Sequence, residues 1–303
     1  MIVVVCPGQG SQTPGFLTPW LELPETEALL SSLSEASGVD LIAHGTESDA
    51  DTIRDTAIAQ PLIVAASIVS LNALTARGSK VAAIAGHSVG EFAAAAGAGV
   101  LSPTDALSLV GIRGRAIAAA AAEVATGMSA VIGGDQDEVV AHLSSLGLFP
   151  ANYNGAGQIV AAGSTEALAK LKAEPPAGAR VIPLQVAGAF HTDYMTPAVE
   201  TVRTAAADVA ASDPNALLWT NRDGSVVNSG ASYLDLLVGQ IASPVRWDLC
   251  MANFAARGVT GVIELAPAGA LVGLAKRALP GVPTVAVKTP ADLDAAVELL
   301  SAE

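Results

Sequence analysis

The 303-residue chain is predicted to fold as an α/β protein whose parallel sheet is interrupted by a smaller inserted unit. Continuous apolar, β-branched runs such as Ile2–Cys6 are the pattern of short strands buried on both faces, as in a parallel sheet. Glycine-punctuated turns and helical runs follow such strands. Between Met128 and Val186 the rhythm changes to βαββαβ, the order of a ferredoxin-like unit. Hydrophobic residues make up 51% of the chain and aromatics 4%, so Ala, Val, Leu and Ile must fill the core.

Ile2–Cys6, closed by Pro7-Gly8, reads as a central strand. Val81–Ala85 repeats it and leads through GHSVGE into an alanine-rich helix. Ser102 is an N-cap, Pro103 the first helical position and Asp105 an acid in the first turn of a long helix. The inserted unit runs as strand MSAVIG, helix DQDEVVAHLSSL, strands FPANYN and QIVAAG, helix STEALAKLKA and strand RVIPLQV. A loop at Glu174–Gly178 lies inside it. Alternation then resumes with helix TPAVETVRTAAADVA, strand LLWTN, a turn at Asp223-Gly224 and strand GVIELAP. The larger domain is therefore expected to be discontinuous, over residues 1–126 and 188–303, with the insertion at 127–187.

Fifteen Lys and Arg against 29 Asp and Glu give a net charge of −14, which argues against nucleic acid or an anionic membrane as the main partner. An anionic ligand would need a local basic site. Cys6 and Cys250, with no CxxC pair, fit two core thiols in a reducing compartment. The N-terminus has no basic region before its apolar run, so no secretory signal is expected and a cytoplasmic location follows. The uncharged stretch Thr56–Ala76 carries Gln60, Pro61, Ser67, Ser70 and Asn72, and is expected to be a buried helix rather than a membrane span.

Gly86-His87-Ser88-Val89-Gly90 fits G-x-S-x-G, and the strand before it and helix after it supply the context that gives the pattern meaning. A sharp turn there lifts the Ser88 hydroxyl above the sheet edge, where helix N–H groups can meet an oxyanion. The alternative is a glycine-rich turn with an incidental serine. Gly8-Gln9-Gly10-Ser11-Gln12 follows the first strand. Thr13 stands where a dinucleotide fingerprint needs glycine, and no GK[ST] follows, which leaves an oxyanion-hole loop or a plain tight turn. Serine chemistry needs a base. His44, His87, His142 and His191 are too widely spaced for a metal cluster, and no metal is expected. His44 and His142 read as surface residues, and His87 as diverging from its neighbour Ser88. His191 lies in a loop after the inserted unit, where clefts form, and is the candidate base.

Ala106, Leu109, Val110, Arg113 and Ile117 fall on one helix face that is apolar apart from Arg113. A buried guanidinium needs an anion, either a ligand's or an internal partner's. Arg115, about 200° around the wheel, reads as solvated.

Six blocks carry a family resemblance: GQGSQ, GHSVGE, IRGR at 112–115, NYNGAGQIVAAG at 152–163, GAFHTDYM at 188–195 and QIASPVRW at 240–247. In this order, over nearly the whole chain, they resemble malonyl-CoA:acyl carrier protein transacylases and the acyltransferase domains of polyketide synthases. The resemblance implies an α/β-hydrolase-like large subdomain with an inserted ferredoxin-like small one. It also implies ping-pong transfer from malonyl-CoA through Ser88, with His191 as base, to the phosphopantetheine thiol of acyl carrier protein, in fatty acid or polyketide synthesis. By the same resemblance the Gln240 carbonyl orients His191, the Gln9 and Val89 amides form the oxyanion hole, and Arg113 clamps the malonyl carboxylate. Gln60, Asn152 and Phe190 match positions near the acyl pocket, against simpler roles as helix cap, turn residue and core. No cofactor is implied beyond malonyl-CoA as substrate.

A serine esterase or thioesterase is the competing reading. Ordinary α/β-hydrolases place an acid between the serine and a late histidine, whereas His191 comes early with no evident acid before it. A catalytically idle carrier-binding module would be expected to lack Ser88 or His191, and both are present.

Overall fold

A computed structural model describes residues 1–302. The first half of the chain runs β1 (Ile2–Cys6), α1 (Thr26–Ser37), α2 (Leu41–Thr46), α3 (Thr56–Thr75), β2 (Ala83–Gly86), α4 (Gly90–Gly97) and α5 (Pro103–Glu123). Next come β3 (Thr126–Gly133), α6 (Gln136–Ser145), β4 (Phe149–Gly155), β5 (Gln158–Ser164), α7 (Thr165–Ala173) and β6 (Ala179–Pro183). The chain finishes with α8 (Thr196–Ala206), β7 (Leu217–Leu218), α9 (Gly230–Gly239), β8 (Val245–Arg246), α10 (Trp247–Ala256), β9 (Gly261–Glu264), α11 (Ala270–Ala278), β10 (Thr284–Ala286) and α12 (Leu293–Ser301).

Five parallel strands form the large sheet in the order β10-β9-β1-β2-β7. Alternation along β1 explains its apolar run. Ile2, Val4 and Cys6 enter the core beneath α3, α4, α5, α8, α9 and α12, while Val3 and Val5 enter the core beneath α10 and α11. Burial of both faces leaves no room for a polar position. The long apolar helix α3 supplies Leu62, Val64, Ile68 and Leu74 to the first of these cores.

The small sheet runs β6-β3-β5-β4, antiparallel throughout, which is the ferredoxin-like 4-1-3-2 order. One face packs on α6 and α7 through Val139, Leu143, Leu168 and Leu171. The other carries Met128, Ala151, Val160 and Ala162, against Ala189 and Phe190. β8 adds to β4 in parallel, with Asn152 opposite Val245. A strand from beyond the insertion thus completes the small sheet and ties the two parts together.

Several strands are shorter than their apolar runs. The expected RVIPLQV strand ends at Pro183, and Leu184 and Gln185 are exposed. LLWTN is a two-residue strand, after which Trp219 bridges Val226 and the chain turns at Asp223-Gly224. Gln60 does not cap a helix opened by Pro61. Asp55 is the N-cap, its side chain accepting from the Ala57 N–H, and Pro61 lies inside α3. Asn152 is in strand β4 and not in a turn.

Candidate active site

The elbow between β2 and α4 is closed by its glycines. A Cβ on Gly86 would stand 2.1 Å from the Gly90 carbonyl carbon, and one on Gly90 would stand 2.2 Å from the Cys6 carbonyl oxygen. Ser88, between them, takes φ 52°, the left-handed region that ordinary side chains avoid. That turn presents its Oγ 2.7 Å from His191 Nε2. His191 also has a positive φ, 61°, in the loop before α8. Its Nδ1 lies 2.8 Å from the backbone oxygen of Gln240. A carbonyl can only accept, so Nδ1 carries the proton and Nε2 keeps a lone pair for the Ser88 hydroxyl.

A second layer holds these atoms. The Ser88 N–H donates to Asn221 Oδ1 at 2.7 Å, and Asn221 Nδ2 donates to the Gly86 carbonyl at 2.7 Å. Glu91, 1% exposed on the first turn of α4, accepts from the Asn221 N–H and from Gln240 Nε2. Gln240 Nε2 also donates to the Ser88 carbonyl at 3.1 Å. Burial pushes the Glu91 carboxyl up to about 8 against these hydrogen bonds. Among the described residues the amides of Gln9 and Val89 donate to no protein acceptor. The Gln9 loop is pinned to the segment before α3, with Gln9 Nε2 donating to the Arg54 carbonyl and Gln12 Nε2 to the Ile53 carbonyl.

Arg113 is 1% exposed on α5 and has Gln partners in place of a carboxylate. Nη1 donates to Gln60 Oε1 at 2.6 Å and Nη2 to Gln240 Oε1 at 2.9 Å, while Nε is buried without a partner. Burial lowers Arg113 to about 10, so it stays charged at neutral pH. Its charge reaches the histidine. Burial first, and Arg113 second, hold His191 down at about 3, keeping the imidazole neutral with its Nε2 lone pair free. Single-turnover acylation by malonyl-CoA is therefore expected to show no acid limb near pH 6.5 and to decline only well below about pH 5. A rate falling through pH 6.5 would mean that His191 titrates as a free imidazole does. The unfolded chain takes up that proton near pH 6.5 while the folded one refuses it until about 3. This histidine's contribution to stability is thus lost as pH falls through that window.

The remaining candidates are placed differently. Phe190 is half-buried and packs against both the large core and the small sheet's inner cluster. The Asn152 side chain is buried on β4 and makes no hydrogen bond among the described residues. Its neighbour Asn154 reaches the elbow instead, with Oδ1 2.9 Å from His87 Nε2. Asn154, Asn221 and Glu91 are thus additions to the residues singled out from sequence. Glu91 follows G-x-S-x-G directly, a usable signal, whereas Asn221 lies in the turn after β7 and carries none. His44 pairs with Ser48 and His142 with the Glu174 carbonyl, both away from the elbow. No group of metal-ligating residues occurs among the described residues.

Fold and site together define an α/β protein with a serine–histidine pair at a strand–helix elbow and a buried arginine beside it. The profile of the acyl transferase domain matches residues 3–291, and the chain belongs to that family. It is 52% identical over 297 residues to a malonyl CoA-acyl carrier protein transacylase of Mycobacterium tuberculosis, covering 97% of this chain and 98% of the relative. A relative of the same name from Escherichia coli is 33% identical over 303 residues, with 97% and 98% covered. Among solved structures, the M. tuberculosis MCAT crystal structure superposes with a TM-score of 0.95 at 51% identity, covering 98% of this chain and 99% of that one. A malonyl-transacylase solved in complex with its type II PKS acyl-carrier protein superposes at 0.91 and 30% identity, covering 98% and 99%.

Proposed function

We propose that this protein is a malonyl-CoA:acyl carrier protein transacylase working through a malonyl-serine in the cytoplasm. The observation that carries the reading is Arg113: a buried guanidinium with no carboxylate partner, joined through Gln240 to the Ser88–His191 pair. Such a fork binds a carboxylate through parallel hydrogen bonds, which a malonyl group supplies and an acetyl group lacks. In the first half-reaction Ser88 Oγ attacks the thioester carbonyl as its proton passes to His191 Nε2. In this reading the Gln9 and Val89 amides, which donate to no protein acceptor among the described residues, donate to the resulting oxyanion. Collapse breaks the C–S bond, and the departing CoA sulfur takes the proton from His191. In the second half-reaction the pantetheine thiol of the carrier gives its proton to His191, attacks the serine ester and leaves Oγ–H restored. Exchange of an acyl group between thioester and serine ester changes no oxidation state, so the steps as written draw on no redox or metal cofactor.

The experiment is malonyl transfer to holo acyl carrier protein followed by mass. A carrier gaining one malonyl group per pantetheine, only when enzyme is present, is expected. Release of free malonate without carrier loading would favour a thioesterase.

Phe190 bears on acyl size. In the related acyltransferases a phenylalanine at this point accompanies malonyl use and a small residue methylmalonyl use, and a ring beside His191 occupies space that an α-methyl group would need. One methyl in a closed pocket is worth about 1–3 kcal/mol, a preference rather than a bar. Phe190→Ser is expected to raise methylmalonyl transfer relative to malonyl when the two thioesters compete in one tube. An unchanged product ratio, with both rates lowered, would make Phe190 a packing residue only.

A further inference from the structure

Glu91 is a buried carboxylate for which acyl transfer, as written above, has no use. Each of its oxygens nevertheless ends on a different part of the machinery. Oε1 accepts the Asn221 N–H at 2.8 Å, with the Tyr233 hydroxyl at 3.4 Å, and Asn221 in turn clamps both the Ser88 N–H and the Gly86 carbonyl. Oε2 accepts from Gln240 Nε2 at 2.5 Å. The Gln240 amide therefore lies between two groups of fixed polarity. Arg113 has only donors to offer its Oε1, and Glu91, both of whose oxygens are met by donors, presents an acceptor to its Nε2. Reversing the amide would face donor to donor on one side and acceptor to acceptor on the other. The backbone oxygen of this same residue receives the His191 Nδ1–H and the Ser243 N–H.

We infer that Glu91 is a positioning residue for the acyl transfer, holding the Ser88 elbow through Asn221 and the His191-orienting carbonyl through the Gln240 amide. The inference rests on Ser88 and His191 being the reacting pair. Burying a carboxylate is costly unless several donors meet it. Here the donors come from positions remote in sequence, 221, 233 and 240, and converge one helical turn after the serine. An apolar side chain of similar size would fill the space without ordering the two amides.

The test compares wild type, Glu91→Gln and Glu91→Asp in two reactions. Glutamine keeps the shape but turns one oxygen into an NH2 that faces either the Asn221 N–H or the Gln240 amide. Aspartate keeps the acceptors but withdraws them by one methylene, and serves where the glutamine variant does not fold. One reaction is single-turnover malonylation, read as a limiting rate and a half-saturating malonyl-CoA concentration. The other is phosphonylation by a small neutral alkyl fluorophosphonate: an Oγ–P bond forms, fluoride leaves, and the serine proton goes to His191. That reagent has no carboxylate for Arg113. The expected result is a drop of tenfold or more in the limiting rate of both reactions, with the half-saturating concentration changed less than threefold and far-UV circular dichroism unchanged. Wild-type phosphonylation rates in a folded variant would overturn the inference, as would a loss confined to the half-saturating concentration. A wild-type protein that takes the fluorophosphonate at Ser88 but ignores malonyl-CoA would instead defeat the malonyl reading, and the Glu91 comparison would still be decided by phosphonylation.

Discussion

Ser88→Ala is expected to abolish the malonyl-enzyme entirely, and His191→Ala to slow its formation by about 10²- to 10⁴-fold while leaving the fold intact. The reason is the 2.7 Å contact between Oγ and Nε2 and the carbonyl that fixes the tautomer behind it. Without Oγ there is no atom to carry the acyl group. Without the imidazole a serine hydroxyl must lose its proton to water while it attacks, which is slow at neutral pH. Intact-protein mass spectrometry after mixing with malonyl-CoA reads both. A Ser88→Ala protein that still gains one malonyl mass would remove Ser88 from the reaction.

Arg113→Ala is expected to reverse acyl selectivity. Loss of the fork leaves the malonyl carboxylate desolvated in a buried site without a partner, at a cost of about 3–5 kcal/mol, whereas an acetyl group loses nothing comparable. That corresponds to a fall of about 150- to 5,000-fold in kcat/KM for malonyl-CoA relative to acetyl-CoA. Arg113→Lys is expected to recover only part of it, because an ammonium cannot engage two oxygens in parallel as the planar fork does. The ratio of the two thioesters' kcat/KM values is the readout. A variant that kept the parent's preference would make Arg113 a structural charge held by two glutamines.

Local rules made part of this site legible. The β-branched run of β1 and its Pro-Gly stop placed a central strand, and the glycines around Ser88 signalled a turn too tight for any Cβ. Arg113 stood out because periodicity put one charge on an apolar face, and that face is buried. The ends of elements were less legible. The run RVIPLQV stays apolar past Pro183, but a ladder needs a partner, and tertiary pairing stops there. LLWTN shrank to two residues because Trp219 turns to bridge Val226 and lead into Asn221. β8 could not be read at all: two residues, Val245 and Arg246, become a strand only because β4 lies beside them.

The functional network was harder still, since its members meet only after folding. Glu91 and Asn221 are 130 positions apart, and Gln240 reaches Ser88 across 152. Family resemblance supplied the Gln240 backbone oxygen. The double use of its side chain, toward Arg113 on one side and Glu91 on the other, is visible only in the folded protein.

Transfer through a malonyl-serine is tested most directly by isolating the malonylated enzyme, freed of CoA, and dividing it between buffer alone and buffer containing holo acyl carrier protein. The acyl group on Ser88 is expected to survive in buffer and to move rapidly to the pantetheine thiol when the carrier is present. Malonate released at the same rate in both, with the carrier left unloaded, would contradict it.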